Sequence, residues 1–261
     1  MKKINTKKIF NNLFDRLNIS ENDKILVSSD LLNLIIFFKS NKIKLNIGLI
    51  INLLKKRLGK NGTLMFPTFN WDFCKGKNFH YKFTPSKTGH LSNLALKMGF
   101  LRSKNPIYSF ASWGKHSEYI SNLDHTSCFN LNSPFGYLIE NEGKNLFIGI
   151  DFKKAFTFVH VAEELIGVNF REHKYFEGKY FHKNEINKKK KYKMYVRKNN
   201  CNVVTEIGEK MDYELKKSKG LKKEKLGNCN FTVVELAKAH DIMVNDLKKN
   251  FKIVYPKKIN S

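Results

Sequence analysis

Residues 144–165 read KNLFIGIDFKKAFTFVHVAEEL, and this stretch decides the fold that the sequence predicts. Its first part, KNLFIGI (144–150), is a short apolar run of the length of one buried strand. Its last part, TFVHVAEEL (157–165), places one histidine and two glutamates among apolar residues and belongs to a following helix. A strand that leads into a helix in this way is the repeating unit of an α/β sheet.

The same alternation of strands and helices occurs in the first 70 residues. The predicted elements are a helix at about 5–18, a strand at 24–29 (KILVSS), helices at about 30–38 and 46–59, and a strand at 62–69 (GTLMFPTF). Gly59 follows a turn with two lysines and one arginine, which is a typical helix stop. We therefore predict an α/β fold, a central sheet flanked by helices, with functional loops at the strand ends.

The pattern changes near residue 170. Strands are predicted at 170–182 and 192–198, and the lysine runs at 187–193 and 216–225 are interpreted as loops. A helical region is predicted at 231–251, broken near Asp241, and KIVYP (252–256) closes the chain. Because no Pro/Gly/Ser linker separates the two parts, we expect one domain over 1–261 with a β-rich, lysine-rich segment at about 170–225.

Composition indicates a globular protein without a membrane span. Hydrophobic residues make up 41% of the chain and aromatic residues 13%, and no apolar run reaches the roughly 18 to 20 residues that a bilayer requires. The basic N-terminus lacks a continuous apolar region, so we expect a cytoplasmic protein. The four cysteines are far apart, which argues against a metal site and a disulfide framework. The oligomeric state is open, and a homo-oligomer is compatible with the sequence.

The formal net charge of +25 invites comparison with nucleic-acid-binding proteins. The lysines are nevertheless spread along the chain, and a basic surface alone supplies only non-specific affinity. We therefore expect no dedicated nucleic-acid partner. Such a charge would repel a polycation and attract a phosphorylated small molecule.

Several motifs of the chain resemble those of one known enzyme family. In chain order they are GTLMFPTFNWDF (62–73), PSKTGHLSNL (85–94), LRSKNPIYSFASWGKHSEYI (101–120), NSPFGYL (132–138) and LFIGIDFKKAFTFVHVAEEL (146–165). Together they resemble the aminoglycoside 3-N-acetyltransferase family, over residues from about 8 to 250. The resemblance implies a mixed α/β sheet of that family's type and a coenzyme A thioester, acetyl-CoA, as co-substrate without a metal.

The H-x-A-E motif of the family corresponds here to His160 and Glu163. The resemblance implies that His160 is the general base for the acceptor amine and that Glu163 orients it. Residues i and i+3 of a helix lie on one face about 5–6 Å apart, and an imidazole of near-neutral pKa suits this proton transfer. Taken alone, the motif would more often be an exposed, charged helix face. Glu164 is expected to point elsewhere.

Ser28, Ser29 and Thr157 are candidate contacts of the coenzyme. The two serines end a strand before a helix, where backbone N–H groups and hydroxyls can hold a phosphate or an acyl oxygen. The family usually has H-S-S here, whereas this chain has V-S-S-D, and a plain helix cap by Ser29 or Asp30 is an equal alternative. Thr157 resembles the threonine of the family's N-T-x-x-H and either donates to the thioester carbonyl or starts the helix.

Arg102, Ser103 and Ser109 complete the candidate cofactor-binding residues. Arg102 and Ser103 resemble the family's R-S pair near the cofactor, and a guanidinium can grip a phosphate bidentately. The alternatives are an arginine that braces the loop with a carboxylate and serines bonded to backbone. The family's histidine in R-S-x-H-P is replaced by Asn105.

The acceptor is predicted from charge. Aminoglycosides carry several positive charges, whereas a nucleotide-linked amino sugar carries two phosphate charges and one amine, which suits a chain of charge +25. We therefore expect an N-acyltransferase of nucleotide-linked amino sugars in surface glycan (lipopolysaccharide) biosynthesis. The first alternative is an aminoglycoside 3-N-acetyltransferase that confers antibiotic resistance. The second is a basic nucleic-acid-binding protein.

Overall fold

A central sheet of seven strands organises the computed structural model of the chain, which describes residues 5–182, 185–199, 201, 206–249 and 252–255. The strands are β1 Lys24–Ser29, β2 Thr63–Pro67, β3 Phe79–His80, β4 Leu101–Arg102, β5 Phe110–Gly114, β6 Lys144–Ile148, β7 Arg171–His182, β8 Glu185–Arg197, β9 Leu221–Leu226 and β10 Cys229–Glu235. The helices are α1 Thr6–Arg16, α2 Leu32–Ser40, α3 Ile47–Leu58, α4 His90–Lys97, α5 Ser117–Asn122, α6 Pro134–Glu140, α7 Phe152–Ala155, α8 Val159–Ile166, α9 Glu209–Lys217 and α10 Leu236–Lys249.

The strand order of the central sheet is β4-β5-β2-β1-β6-β10-β9. β2, β1 and β6 are parallel, whereas β5 and β4 on one side and β10 and β9 on the other are antiparallel to their neighbours. The predicted mixed α/β fold is therefore confirmed. Because the three parallel strands are adjacent, their carboxyl ends meet at one edge of the sheet.

Both faces of the sheet are covered. Leu26 and Phe147 point into a core that includes residues of α6, α8, α9 and α10. Val27 and Ile148, one residue further along each strand, point into a second core with α1, α2, α3 and α4. Because side chains alternate between the two faces of a strand, burial on both sides requires the continuous apolar runs that the sequence shows.

The helices and strands predicted in the first 70 residues are confirmed, with ends that differ by one or two residues. Helices α4, α5 and α6 and strands β3 to β5 were not predicted, because their short segments lack a clear period. The prediction that the basic N-terminus is not a signal peptide concerns in part residues 1–4, which lie outside the described residues. The chain after residue 255 also lies outside them.

The lysine-rich runs are strand and helix, which corrects their interpretation as loops. Residues 187–193 lie within β8, which pairs with β7 in a long hairpin, and β3 joins this hairpin in a second, three-stranded sheet. Lys189 and Lys191 contact Glu177 on the neighbouring strand, and Lys190 Nζ lies 4.5 Å from the centre of the Tyr180 ring. These cross-strand partners make a lysine run compatible with a strand.

The second lysine-rich run, residues 216–225, comprises the end of α9 and most of β9. β9 pairs with β10 in the central sheet. The segment at about 170–225 thus contributes to both sheets, and the assignment of the whole chain to one domain stays a prediction.

The region 231–251 is a strand followed by an unbroken helix, which corrects the prediction of a helix broken near Asp241. β10 lies between β6 and β9, and its residues Phe231, Val233 and Val234 are buried. Their position inside the sheet overrides the helical reading of FTVVE. α10 continues through Asp241, whose side chain is 79% exposed and interrupts no packing. Residues 250–251 lie outside the described part of the chain.

Within the described residues, no helix is both long and apolar enough to cross a membrane. The cysteines Cys74, Cys128, Cys201 and Cys229 are all free thiols.

Candidate active site

A cleft of about 500 Å³ opens at the carboxyl ends of the three parallel strands. Ser28 and Ser29 reach it from β1, Pro67 and Phe69 from the end of β2, and Ile150 from the loop after β6. The remaining lining residues are Asp30, Leu31, Trp71, Thr88, Gly89, His90, Ala155 and Thr157. A cleft at the carboxyl ends of adjacent parallel strands is the usual ligand position in α/β folds.

Gly149 allows the strand ends that form this cleft to approach each other. Its φ is +70°, and a Cβ atom there would lie 2.0 Å from the carbonyl oxygen of Asp30. The amide of Asp30 in turn donates to the carbonyl of Ile148 at 2.8 Å. Only glycine combines this backbone angle with this contact, so the loops after β1 and β6 can cross closely.

The helices α2 and α4 both begin beside the cleft. Asp30 Oδ1 accepts a hydrogen bond from the Leu32 amide at 3.0 Å, so Asp30 and not Ser29 supplies a side-chain bond at the start of α2. Ser28 and Ser29 line the cleft, with Ser28 Oγ 3.4 Å from Asn145 Oδ1. α4 starts at His90, directly after Gly89. Helix N-termini present unpaired N–H groups that favour anionic or carbonyl oxygens of a ligand.

His160 and Glu163 form a hydrogen-bonded pair on α8. His160 Nδ1 lies 2.5 Å from Glu163 Oε2, and the Glu163 side chain is fully buried whereas that of His160 is 23% exposed. Helical spacing of three residues places the two groups on one face. With Nδ1 held by the carboxylate, the opposite nitrogen, Nε2, is the one left for a substrate.

Two further residues contact the Glu163 carboxylate. Tyr255 donates its hydroxyl to Glu163 Oε1 at 2.7 Å, and Arg171 Nε lies 2.7 Å from Oε2 in an ion pair that is poorly aligned for a hydrogen bond. Burial raises the pKa of Glu163, but the hydrogen bond and charge of His160, the charge of Arg171 and the Tyr255 bond outweigh it and lower the pKa below its usual value. Glu163 is therefore an ionised carboxylate at neutral pH.

Thr157 connects the pair to the cleft. Its carbonyl accepts from the His160 amide at 3.2 Å, and Thr157 itself lines the cleft one helical turn before His160. The ring of Phe129 packs 5.0 Å from the His160 ring, between centroids, and covers one side of it. The histidine therefore lies one turn after a residue of the cleft, outside the cleft lining itself, and is held by Glu163 and Phe129.

Glu164 has a different partner. Both of its carboxylate oxygens accept from Ser127 Oγ, at 2.6 and 2.7 Å. It joins α8 to the chain before α6 and takes no part in the His160 pair, in agreement with the expectation that it points elsewhere.

Arg102 is placed behind the cleft, not in it. Its residue is 2% exposed, and the guanidinium donates to Ser109 Oγ at 2.9 Å, to the Thr68 carbonyl at 3.0 Å and to the carbonyls of Thr84 and Tyr81. Burial lowers the pKa of Arg102 to about 10, so it stays charged at neutral pH. The guanidinium therefore braces the surrounding loops. This agrees with the alternative given for the motif, except that its partners are carbonyls and a hydroxyl and not a carboxylate.

Ser103 and Ser109 belong to the same buried layer. Both are fully buried; Ser103 Oγ accepts from the Phe110 amide at 2.9 Å, and Ser109 Oγ bonds to Thr68 at 2.9 Å. Neither lines the cleft. The structure thus brings Ser28, Ser29 and Thr157 together at the cleft, and it leaves the predicted phosphate contact of Arg102 and the roles of the two serines without support.

Sequence reasoning did not find Arg171 and Tyr255. Both lie far from Glu163 along the chain, in segments without a recognisable motif, so no local pattern pointed to them. Gly89 and His90 could have been found, because a glycine directly before an apolar helical run in PSKTGHLSNL is a signal for a helix start at a loop.

Comparisons with known proteins agree with this geometry. The sequence profile of the aminoglycoside 3-N-acetyltransferase family matches residues 41–248. The Bacillus subtilis protein described as SPbeta prophage-derived aminoglycoside N(3')-acetyltransferase-like protein YokD is 34% identical over 100 residues, and this match spans 36% of each chain.

Solved structures show the same fold over nearly the whole chain. The crystal structure of YokD from Bacillus subtilis has a TM-score of 0.74 at 20% identity, over 97% of this chain and 96% of that one. AAC-IIIb in a binary complex with CoASH has a TM-score of 0.75 at 17% identity, over 98% and 100% of the chains. AAC-VIa bound to sisomicin has a TM-score of 0.76 at 12% identity, over 94% and 98%.

The profile match covers most of the chain, and the fold agrees with that of the similar solved structures. The protein belongs to the aminoglycoside 3-N-acetyltransferase family, a family of enzymes that acetylate amino groups with acetyl-CoA.

Proposed function

We propose that the protein is a coenzyme A-dependent N-acetyltransferase in which His160 is the general base. The observation that carries the proposal is the hydrogen-bonded His160–Glu163 pair, one helical turn after Thr157, which lines the cleft at the carboxyl ends of the parallel strands. His160 Nε2 removes a proton from the acceptor amine as its nitrogen attacks the thioester carbonyl. The C–S bond then breaks, the amide forms, and the sulfur leaves as the coenzyme A thiol with a proton from the imidazolium.

Acetyl-CoA is proposed to bind in the cleft with its thioester near Thr157. The cleft holds Ser28, Ser29 and the first residues of α2 and α4, whose hydroxyls and N–H groups suit the oxygens of a thioester or a phosphate. One of the similar solved structures contains CoASH, which is consistent with this placement.

The acceptor best supported is an aminoglycoside-type amino sugar. Among the described residues that line the cleft, Asp30 is the only Asp, Glu, Lys or Arg, so the local charge favours a cationic amine although the whole chain carries +25. The family match and the similarity to a sisomicin-bound structure point in the same direction.

A nucleotide-linked amino sugar is the second candidate. It rests on the overall charge, which attracts a ligand with phosphates. The comparisons give no support to nucleotide-linked sugars or to a role in surface glycan or lipopolysaccharide biosynthesis, so this candidate ranks below the first.

Thiol release with a panel of acceptors tests the proposal. The protein is mixed with acetyl-CoA and, separately, with aminoglycosides and nucleotide-linked amino sugars, and the product is identified by mass. Faster release with aminoglycosides supports the first candidate, and turnover of nucleotide-linked sugars alone would replace it with the second. No release above the background hydrolysis with either class would refute N-acetyl transfer.

The role of His160 is tested by His160→Asn, which we expect to lower kcat about 100-fold or more, the scale of a lost general base. His173→Asn is the matched control, because His173 is an exposed histidine on β7 whose ring packs on Tyr195. Equal rates for the two variants would remove His160 from the mechanism.

A further inference from the structure

The buried carboxylate of Glu163 is held by groups from three separate parts of the chain. Oε1 accepts from the Tyr255 hydroxyl, and Oε2 is shared by His160 Nδ1 and Arg171 Nε. Arg171 is the first residue of β7, and Tyr255 follows α10. Both acceptor oxygens thus have partners from separate parts of the chain, and these contacts together favour one orientation of the carboxylate.

The segment that carries Tyr255 is itself fixed. Asp246, a buried residue of α10, accepts from the amides of Ile253 and Val254 at 3.0 and 2.8 Å. The carbonyl of Val254 accepts from the Gly208 amide at 3.1 Å. These bonds turn the chain after α10 back toward α8 and place the Tyr255 ring, 5% exposed, beside Glu163.

Arg171 is equally constrained. Its side chain is 8% exposed, and Nη1 donates to the Tyr195 carbonyl at 3.3 Å on the neighbouring strand β8. The guanidinium therefore brings a positive charge to the same carboxylate oxygen that His160 contacts.

We propose that Arg171 and Tyr255 are positioning residues for acyl transfer: they hold Glu163 in the orientation that pairs with His160 Nδ1. The proposal rests on the function proposed above, because the orientation of Glu163 matters for acyl transfer only if His160 is the general base. Arg171 and Tyr255 both contact Glu163, so both act through this carboxylate.

The other titratable groups around the pair are few in the described part of the chain. Glu164 lies on α8, Tyr195 on β8, and His240 on α10, with its ring 6.5 Å from that of Phe158. Burial lowers the pKa of His240 and raises that of Tyr195, so both stay neutral near pH 7. Arg171 is accordingly the cation in direct contact with the pair.

The first experiment is Tyr255→Phe, which removes one hydroxyl and keeps the ring. We expect kcat to fall about tenfold, the scale of a lost hydrogen bond to a charged group, while KM for acetyl-CoA changes less than about twofold. A residue that only supports the fold would lower the melting temperature and leave kcat per folded molecule unchanged.

The second experiment compares Arg171→Met with Arg171→Lys. The methionine variant removes the charge beside Glu163 Oε2, and we expect kcat to fall about tenfold, the scale of a lost interaction with a charged group, while KM for acetyl-CoA changes less than about twofold. The lysine variant, which keeps a cation at this place, should restore most of kcat. In NMR spectra assigned by comparison with His160→Asn, the Nδ1 proton resonance of His160 should shift in the methionine variant, because the carboxylate that accepts this proton changes orientation.

These measurements also separate this proposal from the function on which it rests. Absence of thiol release by the unsubstituted protein would overturn the function, whereas the NMR resonance needs no turnover and still decides the role of Arg171. If Arg171→Met does not fold, Tyr255→Phe decides the question by kcat and by the same resonance. Unchanged kcat in folded Tyr255→Phe, together with an unchanged Nδ1 proton resonance of His160 in folded Arg171→Met, would overturn the proposal.

Discussion

Arg102→Met separates a bracing role for this residue from the phosphate contact that its sequence motif suggests. The substitution keeps much of the side-chain volume and removes the donors. The carbonyls of Thr84 and Tyr81 then lose their buried partner, whereas Ser109 Oγ and the Thr68 carbonyl keep their bond to each other. Each buried group left without a hydrogen bond costs about 1–3 kcal/mol.

The loss is partly offset, because the buried guanidinium has no carboxylate partner among the described residues and its removal relieves a desolvation penalty of roughly several kcal/mol. We expect a net loss of about 3 kcal/mol in the free energy of unfolding. For a chain of this size 1 kcal/mol corresponds to about 2 °C in melting temperature, so Arg102→Met should melt about 6 °C lower.

The assay combines thermal unfolding with steady-state thiol release. KM for acetyl-CoA, measured well below the melting temperature, should change less than about twofold, because the guanidinium does not line the cleft. Arg16→Met is the matched control: this arginine is half exposed and pairs with Glu224 at 2.8 Å, an interaction worth at most about 1 kcal/mol.

The opposite pattern would refute the reasoning. A KM for acetyl-CoA raised tenfold or more, with a melting temperature equal to that of the Arg16 control, would show that Arg102 contacts the coenzyme and that the buried network contributes little.

Two further predictions follow from the site. Folding lowers the pKa of Glu163, so its charge should stabilise the protein above the unfolded pKa of about 4.5, and this stabilisation should be lost as the pH falls through the lower folded value. In urea unfolding between pH 3 and 6, the free energy of unfolding should fall more steeply below pH 4.5 in the unsubstituted protein than in Glu163→Gln. Identical slopes would contradict this prediction. Gly149→Ala should lower the melting temperature by more than about 5 °C, because a Cβ atom would meet the Asp30 carbonyl. Gly76→Ala is the control: its φ is +74° and the space around it is open, so its free energy of unfolding should fall by only about 1–2 kcal/mol. Equal destabilisation by the two substitutions would count against the close contact between Gly149 and Asp30.

The three parallel strands at the centre of the sheet could be predicted from sequence because the decisive signals are local. Strands buried on both faces require apolar runs, and helices that cover a sheet require apolar residues three and four positions apart. The predictions at 24–29, 62–69 and 144–150 relied on such runs. The error at 231–251 had the opposite origin: FTVVE becomes strand β10 because it lies between β6 and β9, which no local pattern reveals.

The residues of the candidate site also divide into those that local sequence patterns predicted and those that only packing brings together. His160 and Glu163 are three residues apart on one helix, so their pairing follows from helix geometry and was accessible from the sequence. Ser28 and Ser29 were expected near the cofactor because they end a strand before a helix, and Thr157 because it resembles the threonine of the family's N-T-x-x-H; all three line the cleft.

The sequence by itself therefore determined the α/β class, the positions of the three parallel strands along the chain and the pairing of His160 with Glu163. Only the tertiary structure decided that Arg102 is enclosed by carbonyls behind the cleft, and that Arg171 and Tyr255 converge on Glu163. The physical reason is sequence separation: Tyr255 and Glu163 are 92 residues apart, and their contact exists only after the sheet and α10 have packed. A local pattern specifies a helix face, and packing specifies what that face meets.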